Sequence, residues 1–289
     1  MTQDGLSAAP RRFTVGGVVN AALPVFRRNF WHFFAIAVVV GLPLFVLSFV
    51  FAATYAMPAS GGRLGMGQEE TGAKILSVLL VFVAIVTYFV IQSAISFGTL
   101  MDLRGQRAGV RQCISRGVAF LPRLLVNSLV LLLVIFVAAV VAMMFVIAWL
   151  MSLGNATTEG DAYWISLMVG LGLGALVVFL LCLWWVFVTA MVAENLGPIA
   201  SFGRSRRLTK GHRWGILGIL IVVILANFLC SLVIGELLLA GAVATATLLN
   251  VVVALIFTVL SAVLSAVGYY ALRAEKENFG LADLARVFD

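Results

Sequence analysis

Six long apolar segments constrain the fold of this chain more than any other feature. Each has at least the roughly 20 residues that a helix needs to cross a hydrocarbon core of about 30 Å. Membrane-spanning strands instead show about ten residues of alternating polarity, which these segments lack. We therefore predict an all-α, polytopic membrane protein: a six-transmembrane-helix bundle with amphipathic interfacial helices on the cytoplasmic side. The segments are Phe30–Ala56, Ile75–Leu100, Leu124–Met151, Tyr163–Val192, Trp214–Leu239 and Val243–Leu272.

The composition excludes an ordinary water-soluble protein. Hydrophobic residues make up 63% of the chain and charged residues only 11%, against about 45–50% and about 25% in soluble domains. A soluble fold of this composition would expose large apolar patches. The predicted organisation is a disordered N-terminal tail at 1–12, a transmembrane domain at 13–273 and a cytoplasmic tail at 274–289.

The distribution of basic residues predicts the orientation. All but two of the 19 Lys and Arg residues lie before the first apolar segment, in the second and fourth connectors, or after the last segment; the exceptions are Arg63 and Lys74. Cytoplasmic loops carry such an excess of positive charge. Both termini are therefore predicted to be cytoplasmic, and an even number of spans fits. Since the cations border the membrane, the net charge of +7 predicts contact with anionic lipid and not with nucleic acid.

A possible three-fold repeat follows from the same layout. Amphipathic or basic segments precede the first, third and fifth spans, so that a unit of interfacial helix plus helical hairpin starts near 14, 108 and 197. The first of these segments, Thr14–Asn29, has one apolar face and is predicted to kink at Pro24. A plain alternation of loops and hairpins would give the same impression, and both interpretations stay open.

The sequence offers no catalytic constellation, and we expect no enzyme, metal or cofactor. Its two histidines, His32 and His212, are both predicted at the cytoplasmic interface, without zinc-like spacing to a glutamate. No pair of carboxylates lies at mid-membrane depth. The three cysteines also lack the spacing of a metal site.

The fourth connector is the best candidate site. Arginine suits phosphate because its planar fork donates two hydrogen bonds, and each cation near an anionic surface contributes about 1 kcal/mol. The alternative is that these cations only fix the topology. Glu194 lies within reach of them and could gate or bind, but the favoured interpretation is that it forms a topological ion pair with the Arg204–Arg207 cluster. The predicted phosphate or lipid head-group ligands are Arg204, Ser205, Arg206, Arg207, Thr209, Lys210 and Arg213.

Three polar residues are predicted inside the membrane: Gln92, Asn227 and Thr258. Side chains at that depth commonly cross-link helices. They could also line a permeation path. The absence of charge at mid-depth disfavours a proton-driven transporter of ordinary design.

Two short segments carry a family resemblance. Between Glu194 and Trp214 the chain has Arg-Ser, Leu-Thr-Lys-Gly and Arg-Trp in that order, and Val18–Phe30 reads VVNAALPVFRRNF. Both resemble the membrane domain fused to some glycerophosphoryl diester phosphodiesterases and the YciC-like inner-membrane proteins. The resemblance implies a bacterial inner membrane and a connection with phospholipid or the envelope. It implies no catalytic residue, and no phosphodiesterase domain is expected in this chain.

These observations predict a non-catalytic integral inner-membrane protein. It would organise or regulate a membrane partner or envelope lipid through its basic cytoplasmic helices, with anionic phospholipid, another membrane protein or a second copy of itself as partner. The alternative is a transporter or lipid-translocating protein with a polar path between the helices.

Overall fold

A computed structural model describes residues 13–51, 68–153 and 159–277. The predicted tail at 1–12, Arg63 and residues 278–289 of the predicted tail at 274–289 lie outside the described residues; residues 274–277 of that tail belong to the last helix. In the described part every regular element is an α-helix, as predicted. The helices are α1 (Val15–Phe51), α2 (Gln68–Leu103), α3 (Val110–Ala119), α4 (Leu121–Leu153), α5 (Glu159–Trp184), α6 (Phe187–Glu194), α7 (Pro198–Thr209), α8 (Arg213–Leu239) and α9 (Val243–Glu277).

Five stretches of described helix are long and apolar enough to cross a membrane. Four lie in α1, α2, α8 and α9, and the fifth joins the end of α5 to α6 over Gly170–Glu194. Helix α3 and the first part of α4 pass the same test only as a pair, bent by 60°. The structure therefore supports an all-helical membrane protein with five spans, or six if the bent pair is one span.

The predicted interfacial helix at the start of the chain is wrong as a separate element. Helix α1 runs from Val15 to Phe51 and continues through Pro24 and Pro43. Its first turns are buried at Val18 and Ala22, where they pack against the rest of the protein. Helices α3 and α7 do occur as separate short helices where interfacial helices were predicted. The three-fold repeat stays a prediction.

The predicted basic segments meet at one end of the bundle. The Phe13 amide donates to Glu275 Oε2 near the end of α9 at 2.7 Å, and Arg28 Nε of α1 donates to Asp102 Oδ1 of α2 at 3.2 Å. Arg123 of α4 donates to Asn195 Oδ1 after α6 at 2.6 Å. We call this region the basic end.

The packed core lies near the basic end. The buried stretches of α2 and α9 are Phe89–Leu100 and Ala262–Leu272, and all but the last residue of α6 is buried. The opposite half of the bundle exposes apolar side chains, as α8 does at Ile221 and Leu232. These exposed surfaces suit contact with hydrocarbon, which is as apolar as the side chains themselves.

A break separates α5 from α6 inside one predicted span. The helix ends at Trp184 and resumes at Phe187. Ser205 Oγ of α7 donates to the Leu183 carbonyl at 2.8 Å, and Ser265 Oγ of α9 donates to the Trp185 carbonyl at 3.1 Å. Irregular backbone at membrane depth is tolerated only where protein groups satisfy it. Helices α7 and α9 supply those groups here.

Substitution of Gly268 tests this packing. A Cβ at Gly268 of α9 would lie 2.5 Å from Cζ3 of Trp185, inside the indole ring's van der Waals surface. Because overpacking of this kind costs about 1–3 kcal/mol, we expect Gly268→Ala to lower the free energy of unfolding by that amount in detergent micelles. The matched change Gly235→Ala in α8 meets no atom within 4 Å and should not destabilise the protein. Equal unfolding of the two variants would contradict the close approach.

Candidate functional site

A carboxylate at the end of α6 organises the basic end. Two nitrogens of Arg204 in α7 donate hydrogen bonds to the Glu194 carboxylate, Nε to Oε2 at 2.8 Å and Nη2 to Oε1 at 2.7 Å. The Tyr269 hydroxyl of α9 donates to Glu194 Oε1 at 2.6 Å. The side chains of Arg204 and Glu194 are each only 16% exposed. The predicted ion pair of Glu194 with the connector cations is thus confirmed, and Arg204 makes it.

Helix α9 adds a second carboxylate to this network. Arg204 Nη1 lies 2.6 Å from Glu277 Oε1, and Arg273 donates from Nε to Glu277 Oε2 at 3.0 Å and from Nη1 to Tyr269 at 3.0 Å. Burial lowers the pKa of Arg204, but its hydrogen bonds and charge attraction to Glu277 and Glu194 outweigh that effect and raise it. Arg204 is therefore a cation held by protein carboxylates. We call Glu194, Arg204, Tyr269, Arg273 and Glu277 the ion network.

The end of α9 also fixes the end of α7. Lys276 Nζ donates to the carbonyl of Arg207 at 2.7 Å and to that of Lys210 at 2.6 Å. Carbonyls at a helix C-terminus have no intrahelical donor, so a lysine that reaches them satisfies an otherwise open position. Glu275 contacts His212 at the start of α8 at 3.3 Å. Helix α7 is thus held along its length, by Arg204 near its middle and by Lys276 at its end.

Two of the predicted phosphate ligands point into the protein. Ser205 and Thr209 are fully buried, and both hydroxyls contact the Leu183 carbonyl at the α5–α6 break, Thr209 at 3.5 Å. Sequence reasoning placed them beside the arginines as neutral donors. The structure instead places them on the inner face of α7.

The other four predicted cations surround one open pocket. It has a volume of about 610 Å³, and we call it the basic pocket. Arg206, Arg207 and Lys210 are exposed, and no ion pair involves them among the residues that the structure describes. The Arg213 guanidinium lies 4.9 Å from the ring centroid of Phe179 in α5. The pocket is lined by Ala200, Gly203, Arg206, Arg207, Lys210 and Arg213.

The basic pocket has the chemistry of an oxyanion site. Its cations lie in the last turn of α7 and the residue that caps it, and at the first residue of α8. Small residues at Ala200 and Gly203 leave space above the helix backbone. Guanidinium groups bind phosphate or carboxylate oxygens with charge-assisted hydrogen bonds. The carboxylates of Glu194 and Glu277 are already engaged by Arg204 and Arg273, so they do not neutralise the pocket.

The structure does not bring the three predicted intramembrane polar residues together. Gln92 of α2 is 6% exposed and faces a cleft between helices. Thr258 of α9 lines a different cleft, bounded by α1 and α2. Asn227 of α8 lines neither and has exposed neighbours at Ala226 and Phe228.

Sequence reasoning missed a chain of buried hydroxyls across three helices. Ser96 Oγ of α2 lies 3.0 Å from Thr189 Oγ1 of α6, which lies 3.1 Å from Ser265 Oγ of α9. The sequence did contain a signal for these contacts on α9, where Ser265, Tyr269 and Arg273 are spaced four residues apart and therefore share one helix face. That face leads from the hydroxyl chain to the ion network.

These features define an α-helical protein with membrane-length helices, closed at one end by an ion network beside a basic pocket. The chain belongs to the family described as a domain of unknown function, DUF7847, whose model matches residues 94–275. The matched part includes the basic pocket, the hydroxyl chain and all of the ion network except Glu277. No curated protein and no solved structure matches the chain.

Loss of Glu194 should destabilise the basic end strongly. Glu194→Ala leaves the largely buried Arg204 without its bidentate partner, and we expect a loss of about 2–4 kcal/mol in the free energy of unfolding. Tyr269→Phe removes two hydrogen bonds, the one donated to Glu194 and the one accepted from Arg273, and should cost about 1–3 kcal/mol. Chemical unfolding in micelles measures both.

The matched control is Glu236→Ala, which removes an exposed carboxylate near the end of α8. Surface changes of this kind usually stay within about 0.5 kcal/mol. If the Glu194 and Glu236 variants unfold alike, the ion network does not stabilise the bundle.

Proposed function

We propose that this protein is a non-catalytic integral protein of the bacterial inner membrane that binds anionic phospholipid through its basic pocket and so organises or regulates a membrane partner. The supporting observation is that neighbouring cations differ in whether a carboxylate pairs with them. Arg204 is matched by two carboxylates, whereas Arg206, Arg207 and Lys210 face outward with no described carboxylate beside them.

The fixed position of α7 favours binding of a defined head group over a diffuse charge effect. Ser205, Arg204 and Lys276 hold this helix to the rest of the protein. Its outward cations are therefore arranged before any ligand arrives, which lowers the entropic cost of binding. In the proposed orientation the basic end faces the cytoplasm, where the leaflet is anionic.

The lining of the basic pocket favours binding over catalysis. Its residues are two small ones and four cations, and none of them is a carboxylate, histidine or thiol that could serve as a base or nucleophile at neutral pH. A transporter with a polar path is less favoured, because Gln92 and Asn227 do not face a common space.

Native mass spectrometry of the protein ejected from its own membrane tests the lipid proposal. We expect stoichiometric retention of an anionic phospholipid and its loss in the variant Arg206→Ala/Arg207→Ala. Two cations at about 1 kcal/mol each predict a decrease in affinity of roughly 30-fold. A stoichiometric protein partner in the same spectra would support the organising role.

The control is Arg107→Ala/Arg111→Ala, which removes two exposed cations at the same end but outside the pocket. It should retain the lipid. Equal loss in both double variants would show that general charge and not the basic pocket holds the lipid, and unchanged retention in the first would reject the site.

Cysteine labelling tests the orientation. In a chain whose three native cysteines are replaced by alanine, we expect a membrane-impermeant maleimide to label Arg207→Cys in inverted inner-membrane vesicles and Ala240→Cys, in the turn between α8 and α9, only in right-side-out vesicles. The reverse pattern would place the basic end outside the cytoplasm and contradict the proposal.

A further inference from the structure

The side chains of the basic pocket define a narrower class of ligand than anionic phospholipid, in a step that rests on the proposed function. Arg206, Arg207 and Lys210 are exposed, so a ligand in the pocket can reach their donor groups. Arg213, the first residue of α8, completes the set of cations. Guanidinium and ammonium groups donate hydrogen bonds and accept none. The pocket is therefore complementary to a group that consists of acceptors and carries negative charge.

The basic pocket offers no acceptor for the donors of a larger head group. Its two other lining residues, Ala200 and Gly203, have no polar side-chain atom. The carbonyls of Arg207 and Lys210, at the C-terminal end of α7, already accept hydrogen bonds from Lys276 Nζ at 2.7 and 2.6 Å. Among the described lining residues, nothing is left to accept from the ammonium group of an ethanolamine or the hydroxyls of a glycerol. Such groups beyond the phosphate would find no protein partner.

Lys276 also offsets an unfavourable charge at this end of α7. The last carbonyls of a helix carry a partial negative charge, which repels an anion. The ammonium group of Lys276 lies on two of these carbonyls, beside Lys210. The C-terminal end of α7 can therefore accommodate an anionic ligand among its cations.

Exposed apolar side chains beside the basic pocket favour a membrane lipid over a soluble phosphate. Ile199, near the start of α7, is 81% exposed, and Trp214, which follows Arg213, is 85% exposed. Tryptophan is enriched where membrane and water meet, because its ring is apolar and its N–H is polar. With these side chains in the bilayer surface, a lipid phosphate can enter the pocket while its acyl chains stay in the hydrocarbon.

We propose that the basic pocket selects an anionic lipid whose phosphate is a monoester, such as a diacylglycerol phosphate, over phosphodiester lipids. At mildly alkaline pH a phosphomonoester carries nearly two negative charges, because its second pKa is about 6, and it presents three acceptor oxygens. A phosphodiester has one charge and one free oxygen fewer. Four cations with no acceptor among them favour the ligand that has more of both. Beyond its phosphate, such a lipid also has no head-group donor to leave unpaired.

Native mass spectrometry of the full chain released from phosphatidylcholine nanodiscs tests this preference. The nanodiscs contain equal small amounts of phosphatidic acid and of its methyl ester, phosphatidylmethanol, with the same acyl chains and at mildly alkaline pH. The two lipids differ by one methyl group and therefore by one charge. One further charge beside an exposed cation predicts that phosphatidic acid is retained about fivefold more strongly. Phosphatidylglycerol, in place of the methyl ester, should be disfavoured to a similar degree.

Gly203→Leu tests the basic pocket without changing any charge. A Cβ at Gly203 meets no atom within 4 Å, so a leucine there would occupy the pocket and leave the packing of α7 intact. We expect this variant to lose most of the preference, as Arg206→Ala/Arg207→Ala should. The matched control Gly235→Leu also meets no atom within 4 Å but lies outside the pocket, and it should keep the preference. Each variant is first checked for an unaltered unfolding transition, and either pocket variant gives the reading if the other fails to fold.

A soluble competitor distinguishes the lipid from its phosphate alone. Glycerol 3-phosphate has the same monoester and no acyl chains. We expect phosphatidic acid to stay bound when glycerol 3-phosphate is added at millimolar concentration. Displacement would overturn the assignment to a lipid and show that a soluble phosphomonoester is the ligand.

The remaining outcomes separate the preference for a monoester from the proposed function. Equal retention of phosphatidic acid and its methyl ester, with both lost in Arg206→Ala/Arg207→Ala, would reject the preference and leave binding of anionic phospholipid in place. Retention of neither lipid by the wild-type protein would reject both. A preference that persists in both pocket variants would place the selective site outside the basic pocket and overturn the inference.

Discussion

The contact between Glu194 and Arg204 is the constraint on which the rest of the basic end depends. Both side chains are largely removed from solvent, and a charge in that position must be paired with good geometry. Arg204 and Glu194 meet this requirement with a bidentate contact, and the Tyr269 hydroxyl donates a further hydrogen bond to Glu194. It joins the end of α6 to the middle of α7 and to α9. Helix α7 therefore has one defined face toward the protein, and the direction of its other cations follows from that.

Neighbouring residues on α7 consequently have different structural roles. Ser205, Leu208 and Thr209 are buried with Arg204, whereas Arg206 and Arg207 are exposed. In a helix, residues three or four apart share a face, so residues 204–205 and 208–209 lie together toward the protein while 206–207 lie on the other side. A run of seven polar and basic positions thus splits into an inner set that holds the α5–α6 break and an outer set that lines the basic pocket. Composition alone treats them as one cluster, which is why Ser205 and Thr209 were assigned to the ligand.

The parts of the fold that follow from hydropathy and charge could be predicted: helical spans, the meeting of basic segments at one end, and the ion pair of Glu194. The continuity of α1 through Pro24 and the break after Trp184 could not. Hydropathy separates membrane from water, but lipid and protein interior are almost equally apolar. The sequence of α2 therefore shows that Gln92 lies in a span and gives no sign that it faces a cleft while Asn227 of α8 does not.

The similar polarity of lipid and protein interior also explains where the bundle is held together. Because lipid offers little hydrophobic drive for helices to associate, polar contacts and close packing must supply the association. In the described residues these contacts concentrate at the basic end, in the ion network and the hydroxyl chain from Ser96 to Ser265. The opposite half exposes its apolar surfaces to hydrocarbon. The helices are thus joined firmly at the basic end, and it is there that a fixed arrangement of cations such as the basic pocket can be maintained.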